Sequence, residues 1–274
     1  NVLGNFTSTG SIGAAQVDGA DFITSGLEQI NISKGNTFTL NNNATATRMN
    51  INGTVTVAGN ITAAVTMGAD GILNLNNESG DDNAAKVVGA IQSYVVDTAQ
   101  GTLNINGTFT TQGAIGQGGK GLAAINLSNS TWSNGFTTTF AHDVNATTIT
   151  VGTSSMQTNA TLAIVAGGTS AGENIAITGN IVGGGNSTSA DNAAGGRFNV
   201  QGNATVSGNI GSSSGILADI RIEDGTTLTI LGASRDIYAN NITLMDTTET
   251  ATLAFNGTGT TTVNGIIAGE TTAG

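Results

Sequence analysis

Acidic side chains near arginines are the residues of this sequence best suited to chemistry. Glycoside hydrolysis uses two carboxylates at a set separation, and β-helical polysaccharide lyases typically combine acidic calcium ligands with an Arg or Lys base. Arg221 and Glu223 of IRIED alternate with isoleucines, so they point outward together and are interpreted as a solvated ion pair. The candidate acids are Asp81, Asp82, Asp219, Glu223, Asp224 and Asp236, and the candidate bases are Arg221 and Arg235.

Other catalytic groups are scarce. A sugar-processing groove would normally carry aromatic platforms, whereas the 274 residues include one Trp and two Tyr. His142 is the only histidine, and Asp143 is too close in sequence to orient it easily in a Ser-His-Asp triad. The lack of Cys excludes thiolate catalysis and Cys-based zinc sites. The sequence therefore predicts that the protein is not an enzyme, with a polysaccharide lyase or hydrolase as the least favoured alternative.

Calcium is the one metal for which candidate ligands exist. Asp18 and Asp21 of VDGADF, and the adjacent Asp81 and Asp82, could supply the clustered oxygens that calcium prefers. No copy of the calcium-binding nonapeptide GGxGxDxUx occurs. The favoured interpretation is solvated acids and no cofactor, with these four aspartates kept as calcium candidates.

Aromatic residues cluster at one place in a sequence that otherwise contains few of them. Trp132, Phe136 and Phe140 lie in TWSNGFTTTF, where core packing is favoured and a recognition patch is the alternative. Gly183–Gly196 contains no large apolar residue and is predicted to be an exposed loop. Specific recognition is expected at these two places.

The charge balance excludes two classes of partner. The formal net charge is −11, and the seven Lys and Arg residues are scattered. Binding to nucleic acid or to an anionic membrane surface depends on basic clusters. No run of 18 apolar residues exists, so direct membrane insertion by a helix is not expected either.

Three segments of the chain are close copies of one another. LNINGTFTTQGAIG (Leu103–Gly116) is matched by MNINGTVTVAGNIT (Met49–Thr62) and FNVQGNATVSGNIG (Phe198–Gly211). Their shared element, Gly-x-Ile, recurs along the chain at roughly 24–30 residues or about twice that, as in a solenoid whose coils vary in loop length. Ile125 and Leu127 follow the first copy at the offset at which Ile220 and Ile222 follow the third.

Within each copy the apolar residues alternate with polar ones, which is typical of strands. Leu103, Ile105, Phe109 and Ile115 are predicted to face a stacked core, with Asn106-Gly107 and Gly113 at corners. The absence of Pro is compatible with almost continuous strand pairing. We therefore predict an all-β chain, residues 1–274, forming one parallel β-helix of about ten irregular coils, about 50 Å long at 4.8 Å a layer. A β-sandwich is the alternative.

Asp81–Ala99 fits two secondary structures. Its acidic start and its apolar residues at Val88, Ile91 and Val95 have helical spacing. Its β-branched content and its VVGAI, which resembles QGAIG, favour strand, which we predict.

The motifs TFTTQGAIG, VSGNIG and LNINGT, in a chain rich in Asn, Thr and Gly without Pro or Cys, resemble the passenger regions of bacterial autotransporters, especially rickettsia-type surface cell antigens. The resemblance covers essentially the whole chain in texture and repeat, and it matches no catalytic motif. It implies export across the cell outer membrane, a β-helical stalk, and a role in adhesion or surface coating. The missing translocator barrel suggests a fragment or a cleaved passenger of a larger surface protein.

The predicted function is accordingly a non-catalytic, secreted adhesin-type stalk on the bacterial cell surface. An S-layer or surface-fibre subunit is the alternative, because solenoid ends expose strand edges that must be capped or joined. The expected partners are host-cell or neighbouring surface molecules, or further copies that join through the solenoid ends.

Overall fold

The computed structural model describes residues 4–9, 12, 16–18, 21–23, 27–76, 85–128, 136–152, 160–164, 174–184 and 195–270. Regular structure in these ranges is all strand, and no helix in them is long and apolar enough to span a membrane. The strands are β1 (Phe6–Ser8), β2 (Gln16–Asp18), β3 (Asp21–Ile23), β4 (Leu27–Ile32), β5 (Thr37–Leu40), β6 (Ala44–Ile51), β7 (Thr54–Val57), β8 (Ile61–Met67), β9 (Ile72–Asn76), β10 (Ala85–Val88), β11 (Ile91–Ser93), β12 (Thr102–Asn106), β13 (Phe109–Thr111), β14 (Leu122–Ser128), β15 (Phe136–Phe140), β16 (Val144–Val151), β17 (Ala160–Ile164), β18 (Ile175–Gly183), β19 (Arg197–Val200), β20 (Ala204–Val206), β21 (Leu217–Ile222), β22 (Thr227–Leu231), β23 (Ile237–Met245), β24 (Thr252–Asn256) and β25 (Val263–Glu270).

Parallel pairing joins these strands into two long sheets. One has 11 strands in the order β1-β5-β7-β9-β12-β14-β16-β18-β20-β22-β24, and the other has 12 in the order β25-β23-β21-β19-β17-β15-β13-β10-β8-β6-β4, with β11 beside β8. Of the described strand pairs, only β2 with β3 is antiparallel. Because the strands of a sandwich are antiparallel, the predicted parallel β-helix is confirmed and the sandwich alternative is excluded.

Several long strands bend over a corner of the coil. In β6, β16 and β23 the pairing register shifts in mid-strand, so the two halves of each strand belong to different rows of neighbours. The pairings thus resolve into three rows. Row 1 runs from β4 through β11 to β24, row 2 from β1 through β12 to the start of β25, and row 3 from the start of β6 through β19 to the end of β25.

The coils differ in length more than the Gly-x-Ile spacing predicts. Residues joined by side-chain hydrogen bonds between adjacent coils are 17 to 19 residues apart from β4 to β9. Further along they are 22 to 30 residues apart. The coils from β4 to β9 are therefore shorter than the predicted 24–30 residues, whereas Asn5 Oδ1 in the coil before them accepts from the backbone N–H of Thr37, 32 residues later.

The core is a stack of aliphatic rows. Leu103, Ile105 and Phe109 are fully buried, and Ile115 is 1% exposed, as predicted. Ile115 lies between Ile91 and Val144 in row 1. Ile210 lies between Ile181 and Ile237 in row 2. The isoleucines of Gly-x-Ile thus stack on neighbouring coils, but in different rows along the chain. Stacking like on like gives each layer the same cross-section, which is how a solenoid buries its core without a globular centre.

The glycine of Gly-x-Ile lies where two coils approach most closely. A Cβ on Gly113 would collide with the backbone carbonyl of Gly89, and one on Gly89 with the carbonyl of Ala63. A Cβ on Gly208 would likewise collide with the backbone carbonyl of Gly179. The repeat therefore keeps glycine because no side chain fits between these corners.

Asparagines form ladders on the outside of the coils. In row 2, Asn104 Nδ2 donates to Asn74 Oδ1 at 2.8 Å, and Asn126 Nδ2 donates to Asn104 Oδ1 at 2.9 Å. At one corner, Asn180 Oδ1 accepts from the backbone N–H of Asn209 at 2.9 Å, whose own Oδ1 accepts from that of Asp236 at 3.1 Å. An amide can donate and accept at once, so each one bonds to the coil on either side.

The ambiguous segment Asp81–Ala99 is strand over part of its described length. Ala85–Val88 and Ile91–Ser93 form β10 and β11, which pair with β8, so the strand prediction is correct there and the helical one is wrong. Residues 94–99 form bends, turns and irregular backbone, so the strand prediction is wrong for them. The predicted loop Gly183–Gly196 lies mostly outside the described residues, which resume at Gly195.

Replacing Gly113 with Ala tests the corner stacking. Because the new Cβ would meet the Gly89 carbonyl, we expect a loss of about 1–3 kcal/mol in unfolding free energy, as for other overpacked sites. Thermal and urea unfolding followed by circular dichroism measure it. The control is Gly269→Ala, which has open space around its Cβ; equal losses in both variants would contradict the stacking.

Candidate functional site

The densest group of charged side chains lies on the outer face of row 3. Pairing of β19, β21 and β23 aligns Arg197 with Asp219 and Asp219 with Asn241. Strand alternation places the intervening Phe198 and Ile220 in the core, where both are fully buried. The core thus fixes the backbone from which these polar side chains project.

Arg221 is held by two glutamates. Its Nε lies 2.9 Å from Glu223 Oε1, and its Nη1 lies 3.9 Å from Glu270 Oε2 in the last described strand. The predicted ion pair of Arg221 and Glu223 is present. Since both side chains are partly exposed, each contact contributes little to stability and serves mainly to orient the guanidinium.

Two hollows flank this cluster and share Arg197, Asp219 and Arg221 in their lining. Each has a volume of about 370 Å³. One reaches back to Thr137 and the other forward to Glu270. We call the two together the charged groove. Since it reaches from β15 to β25, it runs along the axis of the β-helix across several coils.

Asp219 is the titratable group most affected by the groove. Burial raises the pKa of its carboxyl group above the ordinary value of 3.8, and Glu270 acts in the same direction. A hydrogen bond from Thr243 Oγ1 to Asp219 Oδ1, at 3.2 Å, and the charges of Arg197 and Arg221 oppose the rise. The carboxylate is thus only partly compensated for its loss of water.

Of the other predicted acids and bases, Asp224, Asp236 and Arg235 do not line the groove. Asp224 accepts five hydrogen bonds from Thr247, Thr248 and Glu249 of the next coil, at 2.6–3.2 Å. Asp236 Oδ1 accepts from the backbone N–H of Thr262 at 3.1 Å, as part of the corner ladder. These two carboxylates therefore join adjacent coils through hydrogen bonds.

None of the calcium candidates gains support. Asp18 and Asp21 are cross-strand partners in the β2–β3 pair, which is described at the backbone level only. Asp81 and Asp82 lie outside the described residues. In the part of the chain that the structure describes, no three His, Cys, Asp or Glu side chains group as a metal site would require.

Two of the three aromatic residues that could form a recognition patch, Phe136 and Phe140, are in the core instead. Phe136 is 6% exposed and Phe140 is fully buried, since alternate residues of β15 face inward. This corrects the patch hypothesis for both and agrees with the favoured core role. Trp132 lies outside the described residues. His142 is half-buried in the connection from β15 to β16.

Sequence reasoning missed Arg197 and Glu270 as members of the site. A signal for Arg197 exists: it precedes Phe198 as Asp219 precedes Ile220, and those two core residues are register partners. Glu270 carries no such signal, because a register shift in β25 decides which residues of that strand reach Arg221.

Comparison with known proteins adds nothing to this geometry: no family model, curated protein or solved structure matches the chain.

Acid titration tests the clamp at Asp224. Its hydrogen bonds, the one from the Thr248 hydroxyl foremost, hold the pKa of Asp224 well below its ordinary value of 3.8. A lowered pKa in the folded state stabilises the fold above about pH 4, and this contribution is lost as the pH falls through the folded value. The unfolding midpoint of the wild-type protein should therefore decrease when the pH is lowered below about 4.

Asp224→Asn should lower the unfolding midpoint at pH 7. It should also reduce the change of that midpoint between pH 7 and acid pH. Asp70→Asn is the control, since it removes only an exposed ion pair with Lys34. An Asp224→Asn midpoint at pH 7 no lower than that of Asp70→Asn would contradict the clamp.

Proposed function

We propose that this chain is a segment of a non-catalytic, adhesin-type β-helical stalk exposed on the bacterial cell surface. The observation that carries the proposal is that outward side chains bond along the axis from coil to coil, as in the Asn74–Asn104–Asn126 ladder. Such residues reinforce a rod and leave little of the wall for chemistry. The resemblance to autotransporter passengers supports the same setting.

The outer wall also suits an extracellular stalk. Strands β5, β7, β9, β12 and β14 of row 2 contain no Asp, Glu, Lys or Arg. Their outward Asn and Thr side chains can bond to water without charge, and the chain needs no disulfide to close its coils. Host-cell or neighbouring surface molecules are the proposed partners.

Labelling of intact cells tests the proposal. An epitope inserted after Gln117 would lie in an exposed turn, where Gly118 has open space around it. In the organism that encodes the protein, antibody should label cells before lysis, whereas the same epitope on a cytoplasmic protein should require lysis. Labelling that appears only after lysis would contradict a surface stalk.

A surface-layer or surface-fibre subunit is the second candidate, and the last two described strands favour it. Phe255 of β24 is 48% exposed, and Ile266 and Ile267 of β25 are 66% and 54% exposed. Large exposed apolar side chains favour contact with another chain.

Sedimentation velocity separates the two candidates. A stalk stays monomeric at all accessible concentrations. A layer subunit assembles with rising concentration; Ile266→Asp should then reduce assembly, and Tyr94→Asp, on the side wall and 73% exposed in wild type, should not.

A further inference from the structure

The charged groove contains hydrogen-bonding capacity that the described residues do not use. The guanidinium of Arg197 is exposed and makes no hydrogen bond or ion pair with any described residue. Asp219 accepts one bond at Oδ1, from Thr243. Asn199, the register partner of Arg221, has a buried Oδ1 without a donor in the described ranges. A buried polar atom without a partner is costly, so the groove gains from a ligand that supplies both donors and acceptors.

Charge and polarity narrow the class of ligand. Three carboxylates, from Asp219, Glu223 and Glu270, outnumber the two guanidinium groups and disfavour an acidic polymer. The two arginines disfavour a cation. Ala218 is the only apolar residue among the described ones that line the groove, which leaves little surface for an apolar ligand.

Neutral hydroxyl groups meet these requirements. A hydroxyl oxygen donates one bond and accepts others, so one group can donate to a carboxylate while accepting from a guanidinium. Arg197 and Asp219 are register partners on adjacent strands, about 4.8 Å apart at the backbone. Neighbouring hydroxyls of one sugar ring can therefore reach both side chains.

The length of the groove indicates a polymer. Its lining runs from Thr137 of β15 to Glu270 of β25, across six successive strands of row 3, or about 24 Å at the strand spacing. That distance accommodates several sugar rings in line. No aromatic side chain lines it among the described residues, so affinity depends on hydrogen bonds.

We propose that the charged groove binds an uncharged, hydroxyl-rich polysaccharide chain, laid along the axis of the β-helix and held by Arg197, Asp219 and Arg221. The binding is non-covalent. It names a partner class for the stalk, and its biological setting rests on the proposed function.

The test is binding of the full chain to immobilised oligosaccharides. The array holds neutral chains of hexoses and N-acetylhexosamines, with uronate-containing and sulfated chains for comparison. We expect binding to neutral chains. Arg197→Ala should weaken it about tenfold or more, as expected for lost bonds to a charged group. The Arg197 guanidinium is exposed and its attraction to Asp219 is without direct contact, so this variant should lower the unfolding midpoint only slightly.

Arg48→Ala, at another exposed arginine, is the matched control and should bind as wild type does. Asp219→Asn is the second groove variant and should weaken binding without loss of the fold. Absence of binding to every neutral chain, preference for acidic chains, or equal loss in Arg48→Ala would overturn the proposal. If no neutral glycan binds but antibody still labels intact cells, the proposed glycan site is wrong and the proposed surface stalk still stands.

Discussion

Each coil of this protein must lie one strand spacing, about 4.8 Å, above the coil before it. Each residue of an inner strand therefore generally has a register partner in the coil before it and in the coil after it. Inside, this requirement places Ile115 between Ile91 and Val144. At the corners it brings the backbone of Gly113 against the carbonyl of Gly89, where no side chain fits. This requirement for close stacking explains why Gly-x-Ile recurs in the sequence.

The same constraint shapes the outside of the molecule. A side chain that repeats at the strand spacing interacts best with its own kind when it can donate and accept, which an amide does and a charge does not. Rows 1 and 2 accordingly display Asn and Thr, as in the ladder through Asn104. Charges gather on row 3, where opposite signs meet in register, as at Arg197 and Asp219. The charged groove is thus a local departure from the uncharged repeat. It lies on row 3, where side chains of opposite charge are register partners.

Much of this architecture could be predicted from the sequence, because its signals are local. Alternation in LNIN identified the core positions of β12, and Gly107 and Gly113 marked corners. Coil length could not be predicted, since it depends on how many residues each corner adds. The same holds for the clamp at Asp224, whose partners Thr247 to Glu249 lie a full coil away. Of the groove, the sequence indicated Asp219, Arg221 and Glu223, but only the register shows that Arg197 joins them.

Register between coils is the central claim, and disulfide trapping measures it directly. The chain has no Cys, so an introduced pair is the only one present. Asn104 and Asn126 are register partners in adjacent coils, whereas Asn104 and Thr150 are two coils apart. Cysteines at the first pair have the short Cα separation that a disulfide requires, and those at the second do not. Rapid, nearly complete oxidation of the 104/126 pair with none of the 104/150 pair is predicted; the reverse, or equal oxidation of both, would contradict the stacked register.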